Sequence, residues 1–378
     1  MSALPLARLF GFEIRIHVSW AIILAVIAVT VVSEVATIAP DSDPIVRWLV
    51  GGVVAGAFLL SALAHELGHA IASRRGGAPG RVLVVYFFGG AASPNLETRS
   101  PRAEIVAALA GPVVSLVIGG ALVAVAAAGG VVGGDLSRAL GQIALVVGIL
   151  NLVLGGVNLL PAFPLDGGRV VRAIAWWRTG DATSGLRTSA RIGRWLGIGL
   201  GVLGVGLILR MDSVDGLMLA LCGWFIVSSA RALERSASLE DLLRGVLVED
   251  AMDTDITGVP ATMTLDTFAA QVLDTPGGTV PVTDGHALVG VLGARDIRRI
   301  RRADWPSTRA GDLMRTTEAL PEVAPSTSLR AARDLLERSG LDGLPVMDAG
   351  RLAGIVTRRG VAKAIHDRAI RAGAAGPA

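Results

Sequence analysis

Between Val18 and Ala232 the chain is a succession of long apolar runs with few charges inside them. Val18 to Ser33 is uncharged, and the run continues past Glu34 to Ile38. Trp48 to Ser73 carries ionisable groups only at His65, Glu66 and His69. Ile105 to Gly134 and Ala139 to Leu165 are uncharged, and two shorter runs follow, Trp195 to Leu209 and Gly216 to Ala230. A bilayer core needs about 20 apolar residues per helix. The first four runs meet that length. In the shorter pair, Arg191 and Arg194 extend the first member by snorkelling, with a buried helical hairpin as the other reading. The first run starts late and no small-residue cleavage site follows it, so it reads as a retained helix rather than a signal peptide.

Composition agrees with a membrane domain. Hydrophobic residues are 52% and charged residues 18%, against roughly 25% charged in soluble domains. Disorder and coiled coils are excluded, and the single cysteine, Cys222, makes no internal disulfide. The net charge is +3 and Lys363 is the only lysine. The arginines punctuate the apolar runs instead of forming a patch, which argues against a nucleic-acid partner. With six spans, the loops on the N-terminal side hold most of them, from Arg8 and Arg15 through Arg74, Arg75 and Arg81 to Arg169 and Arg187. The opposite loops hold little beyond Arg47, Arg138 and Arg210. The positive-inside rule then predicts a multi-pass cell-membrane protein whose N-terminus and soluble tail are cytoplasmic.

Arg81 to Ser93 fits no helix. It is β-branched and aromatic, with Gly89 and Gly90 as a turn signal. The expectation is a re-entrant β-hairpin on the cytoplasmic side, its backbone covered by protein.

The chemistry-bearing residues lie in the apolar runs. His65-Glu66-Leu67-Gly68-His69 places two imidazoles on one helix face, able to ligate one zinc ion, with Glu66 beside them as a general base. Three such groups in a membrane helix are costly, about 2.5–3.5 kcal/mol for each charged type. A catalytic zinc takes three protein ligands and keeps one position open. The fourth run ends Asn158-Leu-Leu-Pro-Ala-Phe-Pro-Leu-Asp166-Gly-Gly-Arg169, and Asp166 is the first acid after Ala139. Prolines break the helix there and the glycines permit a tight turn, so Asp166 is the candidate third ligand.

These two motifs together resemble the site-2 protease family of intramembrane zinc metalloproteases, over about residues 1 to 235. The resemblance implies one zinc per chain on His65, His69 and Asp166, with Glu66 as catalytic base. It implies that Asn158 orients substrate or an oxyanion, or else bonds a neighbouring helix. It also implies that the Gly89-Gly90 hairpin holds an unwound substrate by strand addition. The partner is then a membrane-anchored protein in the lipid bilayer: an anti-sigma factor, a transcription factor or a signal-peptide remnant. His17 is expected at the membrane interface, and Gly193, Gly197 and Gly201 as a close-packing stripe.

The tail repeats itself. Val248-Glu-Asp-Ala-Met252 matches Ala310-Gly-Asp-Leu-Met314, and Val280-Pro-Val-Thr-Asp matches Leu344-Pro-Val-Met-Asp. This resembles a tandem pair of CBS domains, an α+β module with copies at 248–305 and 306–372, joined to the membrane domain by an amphipathic linker helix at 236–247. The resemblance implies regulation, an adenine-nucleotide site and a homodimer through the module. The nucleotide pattern is incomplete, however: the first copy has Asp296 but Gly293 in place of the hydroxyl, and the second has Thr357 but Gly360 in place of the acid. Two readings of the whole chain follow. One is an endopeptidase of regulated intramembrane proteolysis, modulated by the tail. The alternative is a CBS-gated transporter or channel with a structural metal site.

Overall fold

Two strands that the apolar pattern did not announce precede the first helix. β1 (Ala3–Leu9) and β2 (Phe12–His17) pair antiparallel. Their turn residues Phe10 and Gly11 both have positive φ, 50° and 79°, as a tight two-residue hairpin requires. The computed structural model describes residues 3–78, 82–85, 98, 100–132, 135–211, 214–255, 258–272, 279–285, 287–297 and 300–374. Two compact units divide it, Met1–Ala237 and Ser238–Ala378.

In the first unit, α1 (Ser19–Ile38) leads to α2 (Pro44–Arg75). Asp43 caps α2 by accepting from the Ile45 amide at 2.7 Å, and Pro44 supplies the fixed φ of a first helical position. β3 (Val82–Val85) pairs parallel with β2, so the sheet order is β1-β2-β3. Of the hairpin expected over 81–93, residues 82–85 are described. Its described part is this one strand, added to an N-terminal hairpin, while Gly89 and Gly90 lie outside the described residues. Arg74 Nη1 donates to the Phe10 carbonyl at 2.8 Å, and its guanidinium stands 4.7 Å over the Phe12 ring, tying the hairpin tip to the end of α2.

α3 (Pro101–Val132), α4 (Asp135–Asn158), α5 (Asp166–Thr179), α6 (Ala182–Met211) and α7 (Val214–Leu242) complete the unit. Among the described residues six helices of this unit, all but α5, are long and apolar enough to cross a membrane. Their outward faces carry exposed large apolar side chains such as Ile22, Val26, Val113 and Val117, a surface that lipid covers at no cost to hydrogen bonding. The short fifth and sixth runs are the C-terminal half of α6 and the N-terminal half of α7, and each helix extends beyond its run through a segment that carries arginines, Arg187, Arg191 and Arg194 in α6 and Arg231 and Arg235 in α7. α4 stops at Asn158, and residues 159–165 form the turn-rich break that the prolines there predict; the amphipathic α5 that follows was not anticipated. In the glycine stripe, a Cβ at Gly193 would stand 3.3 Å from Phe163 N, and Gly197 and Gly201 lie against Gly223 of α7. A Cβ at Gly197 would stand 2.8 Å from the Gly223 carbonyl oxygen, and one at Gly223 would stand 2.6 Å from the Gly197 carbonyl oxygen.

The second unit contains β4 (Val259–Pro260), α8 (Leu265–Val272), β5 (Thr279–Asp284), β6 (Ala287–Gly293), α9 (Ala294–Ile297), α10 (Ala310–Leu313) and β7 (Arg315–Thr316). It continues with α11 (Leu329–Ser339), β8 (Gly343–Asp348), β9 (Arg351–Thr357) and α12 (Arg358–Ala374). The hairpins β5–β6 and β8–β9 each carry a register shift at matching positions, Val282/Thr283 and Val346/Met347. The copies exchange their leading segments. β7, which opens the second copy in sequence, pairs with β6 of the first. Asp253, which opens the first copy, pairs with Ile355 on β9 of the second. Leu243, Val246 and Val248 lie in one core with Leu329, Leu336, Leu344 and Val356. Gly290 and Gly354 permit the exchange: a Cβ would meet Met314 Sδ at 2.9 Å in one case and Met252 Sδ at 2.8 Å in the other. No separate linker helix forms over 236–247. α7 continues to Leu242, and the remainder turns through Gly245 (φ 70°) into that core.

Candidate metal centre

Three donor atoms from two helices meet inside the first unit. His65 and His69 lie one turn apart on α2, both buried, with their Nε2 atoms 3.1 Å apart. Asp166, the first residue of α5, brings Oδ2 to 3.1 Å from His69 Nε2 and 3.3 Å from His65 Nε2. Among the described residues these three form the one His/Cys/Asp/Glu group of three or more placed to hold a metal ion.

Helix α3 sets the other side of both rings. His69 Nδ1 donates to the Ala107 carbonyl oxygen at 2.7 Å. A carbonyl only accepts, so the neutral ring carries its proton on Nδ1 and its lone pair on Nε2. His65 Nδ1 bonds the Ser115 hydroxyl at 2.8 Å. Between Ala107 and Ser115 stands Gly111. A Cβ there would overlap His69 Nε2 and come within 2.6 Å of His69 Cε1 and 2.7 Å of His65 Nε2. The space is therefore kept for the ligand atoms. The His69 lone pair and a carboxylate oxygen aimed at one another repel unless a proton or a cation lies between them. Donors at about 2.0–2.1 Å from a tetrahedral zinc are roughly 3.3 Å apart, and the spacings here match. The residues fit zinc.

Asp166 reaches this place because 159–165 folds back over the start of α5. A Cβ on Gly167 would overlap the carbonyl oxygens of Leu159 and Leu160, and one on Gly168 would meet Phe163 N and the Ala162 carbonyl carbon. Both glycines are thus required by close backbone approach. Ser189 on α6 donates to the Gly168 carbonyl at 2.8 Å and pins the turn. Asp166 Oδ1 faces away from the imidazoles, 3.8 Å from Arg169 Nη1. Arg169 Nε and Arg172 Nη2 donate to Glu104 Oε1 on α3, at 3.1 and 2.9 Å.

Glu66 is half-buried on α2 beside His65. Asn158 is half-buried at the last position of α4. His17 precedes α1, its Nδ1 3.1 Å from the Ser19 hydroxyl. In the second unit, Asp296 Oδ2 accepts from the Gly293 amide at 3.2 Å and Oδ1 stands 3.6 Å from Arg315 Nη2. Thr357 Oγ1 accepts from the Gly360 amide at 3.0 Å. A Cβ at Gly360 would stand 2.7 Å from the Ala251 carbonyl oxygen, so the missing acid has a steric reason in the exchanged segment. Sequence reasoning overlooked Gly111, Ser115 and Glu104. The first two carried a signal, Gly111-Pro112 and a serine one turn on within an uncharged run. Glu104 looked like the charged edge of a span.

The chain is 32% identical to zinc metalloprotease Rip3 of Mycobacterium tuberculosis over 96% of its own length and 93% of the relative's. It belongs to the site-2 protease family of zinc metalloproteases. A relative from Synechocystis, also named as a zinc metalloprotease, is 29% identical over 96% of this chain and 95% of that one. The model of peptidase family M50 matches residues 130–200 and that of the CBS domain matches 248–303 and 310–367. The solved site-2 protease from Methanocaldococcus jannaschii is 24% identical and covers 62% of this chain and 96% of its own, with a TM-score of 0.39. The M50 match includes Asn158 and Asp166 but stops short of the histidines on α2, so the likeness over nearly the whole chain decides membership. The protein is a multi-pass membrane zinc metalloprotease with two CBS domains, which sets aside the transporter alternative.

Proposed function

We propose that this site-2 protease cuts a membrane-anchored protein substrate within the bilayer, with His65, His69 and Asp166 as its zinc ligands and Glu66 as its base. The observation that carries the reading is the meeting of two Nε2 atoms and one carboxylate oxygen at 3.1–3.3 Å in a buried site. When bound, zinc supplies Lewis-acid chemistry: it draws electron density from a carbonyl oxygen and makes water a stronger acid. Glu66 takes the proton of the attacking water and returns it to the leaving amine. The Nδ1 bonds to Ala107 and Ser115 hold both rings in orientation, and the Ala107 carbonyl also sets the tautomer of His69. Asn158 and the Gly89-Gly90 segment are proposed to hold the substrate after its helix unwinds, since a helix hides its amide carbonyls in its own hydrogen bonds.

The N-terminus and CBS pair are proposed to be cytoplasmic, following the arginine distribution. A regulatory role for the pair is supported by how the end of α7 is held. Glu240 pairs with Arg330 at 3.2 Å, and Arg368 Nη1 donates to the Arg244 carbonyl at 2.9 Å. The segment 240–244 of the second unit, which leads into the first copy, is thus held by the second copy. A ligand or homodimer contact that distinguishes two states of the module would act on this segment. The proposed ligand is an adenine nucleotide.

The test is Glu66→Gln, which keeps size and hydrogen bonding but removes basicity. In purified protein against a transmembrane substrate, cleavage should fall by at least about 100-fold, within the range of a lost general base, with zinc retained. Turnover near wild type sinks the assignment of the base.

A further inference from the structure

Glu104 is 1% exposed, although it carries a charge and stands in the first turn of α3. Its carboxylate accepts from Thr98 Oγ1 at 2.8 Å, Arg169 Nε at 3.1 Å and Arg172 Nη2 at 2.9 Å. A buried ion pair is a poor way to glue helices, because apolar residues of similar volume do as well or better. The geometry has a direction instead. Arg172 pairs with Glu104, while Arg169 has a second acidic neighbour, Asp166 Oδ1 at 3.8 Å from its Nη1. The two oxygens of Asp166 are therefore divided, Oδ2 to the imidazoles and Oδ1 to the guanidinium.

We propose that Glu104 is a positioning residue for the metal centre: by holding Arg169 Nε it fixes the guanidinium so that only Oδ1 of Asp166 is engaged and Oδ2 stays free for the metal. Arg172 balances the second charge. An arginine released from Glu104 can turn its fork onto both carboxylate oxygens, the geometry that guanidinium prefers. It then competes with the metal for Oδ2. The inference rests on Asp166 being a zinc ligand, as proposed above.

The test is zinc affinity of the full-length detergent-purified protein, by competition with a chromogenic chelator, beside thermal unfolding of the metal-free form. Glu104→Gln should weaken zinc binding about 10- to 100-fold, the range for a residue that orients a ligand, because the released guanidinium competes for Oδ2. Arg169→Gln removes the competing fork and should weaken it less. The double variant should bind zinc as Arg169→Gln does, because the loss in Glu104→Gln acts through Arg169. If Glu104→Gln does not fold, Glu104→Asp keeps the charge but draws the carboxylate back from Arg169 Nε, and it should show part of the same loss, relieved again by Arg169→Gln. Wild-type affinity in folded Glu104→Gln or Glu104→Asp overturns the proposal, as does a loss that Arg169→Gln does not relieve. Asp166→Ala separates the two levels. If it abolishes zinc binding while Glu104→Gln does not, the ligand assignment stands and the positioning role falls. If it binds zinc normally, the ligand assignment itself falls.

Discussion

His65 and His69 turn their Nε2 atoms toward each other at 3.1 Å while Nδ1 of each is held by helix α3, one by a hydroxyl and one by a backbone carbonyl. The pair is thus oriented from behind before any ion arrives. A metal bound there finds its nitrogens already aimed, and little ordering remains to oppose binding.

Gly111 should tolerate no side chain. Gly111→Ala places a methyl against both Nε2 atoms, so zinc content should fall well below one per chain and cleavage with it. Gly120→Ala, in the same helix, meets nothing within 4 Å. It should keep zinc and activity and gain a few tenths of a kcal/mol, up to about 1, from helix propensity. Metal analysis of the two purified variants checks both.

Ser115→Ala removes the partner of His65 Nδ1 without creating a clash. The expected result is a loss of about 10- to 100-fold in zinc affinity or in kcat/KM, with the fold intact. Ser115→Thr retains the hydroxyl and should recover part of the loss. Chelator competition and a cleavage assay measure these.

The exchange in the CBS pair has a consequence that the order of the sequence alone would misplace. Val248 belongs by sequence to the first copy but is fully buried in the core that includes Leu344 and Val356. Val248→Asp buries a charge there, at a cost of several kcal/mol. Hydrogen exchange in the full-length protein should rise in β8–β9 more than in β5–β6. The reverse order would refute the assignment of this segment.

Adenine nucleotide should bind the module weakly, because neither copy has both the hydroxyl and the acid of the usual pattern. Calorimetry of the full-length protein with AMP and ATP is expected to show binding that is lost in Asp296→Ala or Thr357→Ala. If neither nucleotide binds, the pair is a docking or dimerisation element.

Much of this was legible in the sequence because each feature left a local mark. The apolar runs revealed the spans, spacing of four residues paired His65 with His69, and an acid after an uncharged run singled out Asp166. What was illegible depends on partners distant in sequence. The β1–β2 hairpin is short, and it is fixed by Arg74 and by β3 across the intervening helices. The prolines after Asn158 marked a break before Asp166, but α5 itself went unread, since the backbone approach that Gly167 and Gly168 allow appears only when 159–165 is in place. Glu104 looked like a span boundary because its meaning lies in two arginines on α5. The CBS copies were recognisable as repeats, yet their exchange is written in Gly290 and Gly354, whose need for bare backbone appears only when the neighbouring segment is in place.

The most direct test of the metal centre is zinc K-edge X-ray absorption on the purified full-length protein, with metal stoichiometry measured on the same sample. The account predicts one zinc per chain, light-atom ligands at about 2.0 Å and outer-shell scattering from two imidazoles, reduced to one in His69→Ala. A sulfur ligand, an imidazole signal unchanged in His69→Ala, or a protein that takes up no zinc would contradict it.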